Sequence, residues 1–593
     1  MPLTPSRKFA SWFFTALLGT SLLSPIALAR PTVAIPTPFE VGGSPEGNYL
    51  AAVVAGDDQD TAAAATFFNE VLNADPRNVE LIEHAFIATL ANGDVRRAFD
   101  LADKLLAYAH NDKLAHLVLG VRDLKTNQYA LARTELAQSD PDDHSNLTSS
   151  LLKAWAWVGS HNVQKALETT AHLNANGFGV FRDFHAALMA DVANDVDEAQ
   201  KRVTAAYTAD RTTLRLVEAY GRFMSRHGHI DDALKAYEEV DKIIPHYPSI
   251  AQAITSLKAG KELPPLVSNA QEGAAEVLYG LGSSGRAGDE LTSIIYLRLA
   301  LYLNPDHDTA SFTLGETYER IKRYEQAIDA YEAVPTASPL RRLADLQIGT
   351  VLDTMGRVDD AAKHVKAILD DNPKDFDTLT MLGRIQSEQK DYAAAAGTYT
   401  KALDAAGPDV VNPWSLYYFR GIAYERQKKW PPAEADFKKA LELSPDQPQV
   451  LNYLGYTWVD AGIHLDEAFA MLRRAVELSP DDGYIVDSLG WAHYKLGHYE
   501  EATKLLEHAV DLKPGDPTIN DHLGDAYWKI GRKLEAHFQW NHARDMKPDP
   551  EDLPRILAKI DKGLDAVEAE KPASDKPAEK PAAKPADASN SSQ

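Results

Sequence analysis

Small, bulky and polar positions repeat along most of this chain, alanine is abundant, and β-branched residues never run together for long. That patterning predicts helices. Glycine recurs at Gly315, Gly349, Gly383, Gly421, Gly455, Gly490 and Gly524, in steps of 34, 34, 38, 34, 35 and 34 residues. Twelve or thirteen residues after each glycine stands an alanine: Ala327, Ala361, Ala395, Ala433, Ala468, Ala502, Ala536. Four further on comes a bulky residue: Tyr331, Val365, Tyr399, Phe437, Leu472, Leu506, Trp540. Most units close on proline, at Pro373, Pro445, Pro480, Pro514 and Pro548.

Each position has a physical reading. Glycine and alanine belong where two helices of a hairpin cross, because a larger side chain would push them apart. The bulky residues are expected to fill the gap to the neighbouring hairpin. The closing proline stops the second helix, since it lacks an N–H and excludes helical geometry from its predecessor. Gly497 marks the turn inside a hairpin. This signature resembles the tetratricopeptide repeat, and the resemblance implies an all-α superhelical solenoid of antiparallel helix pairs.

Upstream the register weakens but persists. Gly280 with Ala300 and Pro305 frames one unit, Gly221 with Ala233 and Tyr237 another, and Gly120 with Ala132 a third. Asn92-Gly93-Asp94 and Ser160-His161-Asn162 read as hairpin turns. The expected organisation is a signal peptide over 1–29, an extended segment over 30–60, and degenerate helical repeats over 61–258. A linker over 259–269 (Ala259 to Pro265 at its centre) then leads to a regular array over 270–548. An amphipathic capping helix over 549–569 and a disordered Lys-Pro-Ala tail over 570–593 complete the chain.

The signal is read from Arg7 and Lys8, an apolar run from Phe9 to Leu23, and Ala27-Leu28-Ala29, an A-x-A cleavage site. Cleavage after Ala29 is favoured over an uncleaved anchor, because the run is short for a membrane span. No other stretch is apolar enough to cross a bilayer, so a periplasmic location is expected.

Composition then removes whole classes of function. The 593 residues carry 61 Lys and Arg against 86 Asp and Glu, a formal net charge of −25, and no cysteine. An acidic balance counts against general nucleic-acid binding, which needs a field of cations. Without cysteine there is no thiol nucleophile, no cysteine–metal site and no lipid anchor. Gly280-Leu281-Gly282-Ser283-Ser284-Gly285 spells a dinucleotide-binding pattern but follows a helical stretch rather than a strand, so Gly280 is read as a helix-packing residue and the later glycines as a turn. His227-Gly228-His229 with Asp231 and Asp232 lies where other units place their turn, so a metal site is not expected there. No G-x-S-x-G marks a nucleophile. No catalytic residue, cofactor or metal is expected.

In a tetratricopeptide array the first helices line the concave face. Residues six and three before the repeat glycine, then one and four after it, form one stripe at 3.6 residues per turn. From that stripe the candidate partner-binding residues are Tyr418, Asn452, Tyr456, Tyr484, Asp487, Trp491, Tyr494, Asp521, Asp525 and Trp528. Asn452, Asp487 and Asp521 share one phase of three successive repeats, a ladder suited to an extended or basic peptide, with the aromatics supplying apolar contact. Packing between repeats is the competing reading for the aromatics.

The block from Leu451-Asn452-Tyr453-Leu454-Gly455-Tyr456 through Asp487-Ser488-Leu489-Gly490-Trp491 to Ala502 is similar to the C-terminal repeats of proteobacterial envelope tetratricopeptide proteins. These include the lipoprotein adaptor of a C-terminal-processing protease. The resemblance implies a periplasmic scaffold or adaptor whose partners are proteins, among them an envelope protease and its substrates. A glycan-associated assembly factor is the alternative.

Overall fold

The computed structural model describes residues 41–139, 147–173, 178–285, 288–407 and 412–569. Every regular element within them is an α-helix. The signal, residues 408–411 and the Lys-Pro-Ala tail lie outside the described residues. No described helix is long and apolar enough to cross a membrane.

Successive helices pair antiparallel, and the repeat glycine sits at the crossing. A Cβ on Gly421 would lie 2.7 Å from the Phe437 ring, and one on Gly524 would lie 2.4 Å from Trp540. The bulky residue therefore closes onto the glycine of its own repeat, not onto the gap between hairpins as the spacing suggested. The geometry follows from the sixteen-residue offset between the two positions, which carries the chain through the turn and back to the same level. Hairpin turns pass through one left-handed residue, filled by Gly497 (φ +82°) and Gly531 (φ +85°) in two repeats. Lys390 and Lys428 hold the same conformation elsewhere, at a cost glycine does not bear. Second helices start on caps such as Asp391, whose carboxylate accepts the Ala394 N–H at 3.1 Å, and this satisfies an otherwise orphaned donor.

Helical pairing begins earlier than expected. Pro45–Asp57 is a helix, where an extended segment was anticipated over 30–60. Pro45 is compatible with a first helical turn, the Ser44 hydroxyl caps it by accepting the Gly47 N–H, and the alanine-rich run that follows carries it on.

The chain divides into two compact units between Ile368 and Leu369. The segment 259–269 carries no helix, but the division does not fall there. It is laced into the first unit: Leu263 and Val267 are buried, the Leu263 N–H donates to Ser225 Oγ at 3.1 Å, and Arg222 donates to the Pro264 carbonyl at 3.2 Å.

In the first unit, hairpins stack in order from Pro45 to Asp241, and a further hairpin, Ala270–Ser283 with Glu290–Leu303, packs back onto their first helices. Ala270–Ser283 lies against Leu147–Gly159 and Gly179–Val192, and Glu290–Leu303 against Val79–Asn92 and Lys113–Lys125. Two glycines allow the approach. A Cβ on Gly273 would meet the Trp155 indole at 2.3 Å, and one on Gly280 the Phe181 ring at 2.5 Å. Gly280 is thus a packing glycine, as read from the sequence. Gly282, expected in a turn, is still helical, and a Cβ there would lie 3.1 Å from Leu297 of the partner helix. The returning hairpin buries charge as well. Arg215 pairs with Glu276 and, at 2.5 Å, with Glu218, while His307 Nε2 lies 3.1 Å from Glu276. Burial pushes the Glu276 carboxyl up, but Arg215 and His307 outweigh it and hold it at about 2.

The second unit stacks five hairpins whose first helices are Phe376–Glu388, Trp414–Arg426, Pro448–Ala461, Gly483–Lys495 and Pro517–Lys529. First helices touch across repeats. Two short helices end it, Leu553–Lys562 and Leu564–Ala569, separated by Gly563.

Candidate functional site

The stripe predicted from the repeat register lies on the first helices of the second unit, and its ten residues fall into two environments. Toward the start, Tyr418 is buried among Phe419, Phe437 and Tyr453, so it is a core residue and not an open contact. Asn452 and Tyr456 are half-buried, and the Asn452 side-chain oxygen is buried without a hydrogen-bond partner. Around them Ile422 and Glu425 are half-buried and Arg426 and Asp460 are exposed. The principal packing partners of Phe376–Glu388 and Trp414–Arg426 are their neighbours in the array.

Toward the end of the stripe the picture reverses. Asp487, Trp491, Tyr494, Asp521 and Asp525 are all buried, while Tyr484 and Trp528 are half-buried. The expectation of an open acidic and aromatic groove there is corrected: the chain's own last two helices cover it. Lys559, only 1% exposed, places its ammonium 2.8 Å from Asp521 and 2.7 Å from Asp525. Arg555 adds a second contact to Asp521 at 3.0 Å. The Trp540 indole N–H donates to the other oxygen of Asp525 at 3.0 Å. Burial and the neighbouring Asp521 still leave the Asp525 carboxyl above its ordinary range, against the pull of Lys559.

The aromatics meet one another as well as the covering helices. Trp491 stacks on Tyr494 with centroids 4.5 Å apart, and on the His522 ring at 3.9 Å. His522 in turn reaches the Asp487 carboxylate at 3.0 Å. Packing between repeats therefore accounts for Asp487 and Trp491. Ile556 and Leu564 of the terminal helices join the same apolar cluster. A Cβ on Gly563 would lie 2.4 Å from the Trp528 ring, so only glycine lets the chain pass so close. Tyr484 lies at the rim, with the Lys513 ammonium 5.5 Å above its ring.

Arg555 and Lys559 are the residues that repeat logic missed. Their signal was present: two cations four apart on an amphipathic helix that follows a stripe of acids. His227-Gly228-His229 forms a hairpin turn, with Gly228 at φ +82°. Among the described residues no group of three or more His, Asp or Glu could hold a metal ion.

Family models for the tetratricopeptide repeat match residues 295–341, 346–410, 414–447 and 464–523. These are tetratricopeptide repeats. A TPR repeat-containing protein of Pseudomonas aeruginosa is 29% identical over 190 residues, which is 32% of this chain and 32% of that protein. Human protein O-mannosyl-transferase TMTC1 is 27% identical over 142 residues, 24% of this chain and 16% of that protein. The chain thus spans a third or less of the length of these relatives. Among solved structures, a tetratricopeptide repeat protein from Parabacteroides merdae aligns with 43% of this chain and 98% of its own, at 16% identity and a TM-score of 0.37. The Cut9–Hcn1 hetero-tetramer of APC/C aligns with 88% of this chain and 97% of its own, at 15% identity and a TM-score of 0.37. Tetratricopeptide arrays generally mediate protein–protein interaction, and this chain has that fold.

Proposed function

We propose that this protein is a non-enzymatic scaffold of the cell envelope that holds a protein partner on the first-helix face of its second unit, between Phe376 and Ala461. One observation carries the reading. There the array presents half-buried Ile422, Asn452 and Tyr456 beside exposed Arg426 and Asp460, a mixed apolar and polar face of the kind that holds a peptide. The basic, apolar and A-x-A succession over residues 7–29 supports export and a periplasmic location. The similarity of the 451–502 block to envelope adaptors supports delivery of substrates to an envelope protease as the working role.

Photocrosslinking in living cells from positions 422 and 456 tests the reading, with N-terminal sequencing of the mature chain. The expected result is a discrete protein adduct from both positions and a mature chain beginning at Arg30. Adducts only to glycan, or none from either position in a well-expressed chain, would overturn it.

A further inference from the structure

The strongest unassigned feature is the way the second unit ends. A lysine ammonium is buried between two carboxylates on successive turns of one helix, beside a wall of Trp491, Tyr494 and Trp528. We infer that this surface is a recognition site for a lysine-bearing amphipathic helix, and that Leu553–Lys562 is its resident occupant, exchangeable for a partner helix of the same chemistry. The inference deepens the scaffold reading and rests on it, since it names a second partner class on the same unit.

Four observations support exchange over permanent closure. The occupant meets the site through a small set of side chains: Arg555 and Lys559 four apart, and Ile556 and Ile560 four apart. Its opposite side is wet, with Leu557 45% exposed. It is joined to the array by Met546–Asp552, a stretch without helix that contains Pro548 and Pro550. The seam is also imperfect, because the Trp528 indole N–H and the Arg555 Nε are buried without partners. A helix that satisfied the Trp528 donor would fit better than the resident one.

Energetics favour the same view. Removing Lys559, Asp521 and Asp525 from water offsets most of their mutual attraction, so such a triad selects its occupant more than it stabilises the fold. When the whole helix leaves, both carboxylates regain water and no charge is stranded. A point substitution at Lys559 alone leaves Asp525 buried without a cation and Asp521 with Arg555 only, so displacement and mutation are different events. The spacing read by the site is Arg-Ile-x-x-Lys-Ile, and an extended peptide or an acidic helix does not match it.

The test uses the full chain and a labelled synthetic peptide covering residues 550–569 as the probe. The R555E/K559E chain, whose own helix is repelled from Asp521, should bind the probe about tenfold or more tightly than the wild type, because the site is no longer occupied internally. Adding D521N and D525N should abolish that gain. A folded R555E/K559E chain that binds no better than wild type would overturn the assignment. If that variant fails to fold, a protease site placed between Pro548 and Glu551 supplies the second arm. After cleavage, excess unlabelled peptide should release the resident helix, and retention of that helix would overturn the proposal equally. Because the probe is the chain's own helix, exchange without any cellular adduct from 422 and 456 would reject the scaffold reading while sustaining this site; adducts without exchange would do the reverse.

Discussion

The two units treat the inner face of their helices differently. In the first unit a returning hairpin buries that face, with Trp155 and Phe181 pressed against glycines and Arg215, Glu218, Glu276 and His307 sealed inside. In the second unit the same face stays accessible at Ile422, Glu425 and Arg426, and only its end is covered, by Leu553–Ala569. The cover leaves the same mark in both. In Leu147–Gly159 the unbroken run Thr148–Ala156 is buried, along with Val158, and in Pro517–Lys529 the run Ile519–Tyr527 is buried likewise. The repeat register survives in the second of these helices, so a covered inner face does not by itself erase it.

The sharpest way to break this comparison is Trp155→Ala. The ring is fully buried against Gly273, and its loss should cost ~3–5 kcal/mol. Denaturant unfolding followed by hydrogen exchange should show that loss in the first unit while the amides of 376–461 keep their protection. Next comes Lys559→Ala, which leaves the buried Asp525 without a cation and Asp521 with Arg555 only and should cost about 3 kcal/mol. Its exchange signature should be confined to Gly483–Ala569.

A pH experiment separates the units more gently. Burial, with Glu319 nearby, pushes the Glu316 carboxyl from 4.5 up to about 7. Between those values the folded first unit holds a proton that the unfolded chain does not, so stability falls as pH rises through the window, by roughly 3 kcal/mol. The Glu316→Gln variant should remove that slope, as read from melting temperature against pH, and leave the second unit unchanged. The smallest effect is expected at Leu534 and Phe538, which are 83% and 66% exposed. Replacing both with serine should alter stability by no more than ~0.5 kcal/mol.

Much of this was legible in the sequence. Gly421 with Phe437 and Gly524 with Trp540 announce their hairpins because the contacts are local and periodic. The stripe from Asn452 to Trp528 was likewise placed on the correct helices. Its occupancy was not legible, since the pairing of Asp521 with Lys559 spans 38 residues and that of Arg215 with Glu276 spans 61, and neither obeys the repeat. The division at 368 was hidden for the same reason. The break visible in composition near residue 260 is a strap within the first compact unit, and the two units part inside the helix Val358–Asp371, where the repeat register is undisturbed.

The natural absence of cysteine makes one measurement decisive for the contrast between a filled and an accessible inner face. Single cysteines introduced as Ala274→Cys, on the returning hairpin, and as Ile422→Cys and Arg426→Cys, on the second unit, are labelled under native conditions. The account predicts that the thiols at 422 and 426 react within about tenfold of a free peptide thiol, while the thiol at 274 reacts more than ~1,000-fold slower, only through unfolding. Comparable protection at all three positions, or rapid labelling at 274 in a folded chain, would contradict it.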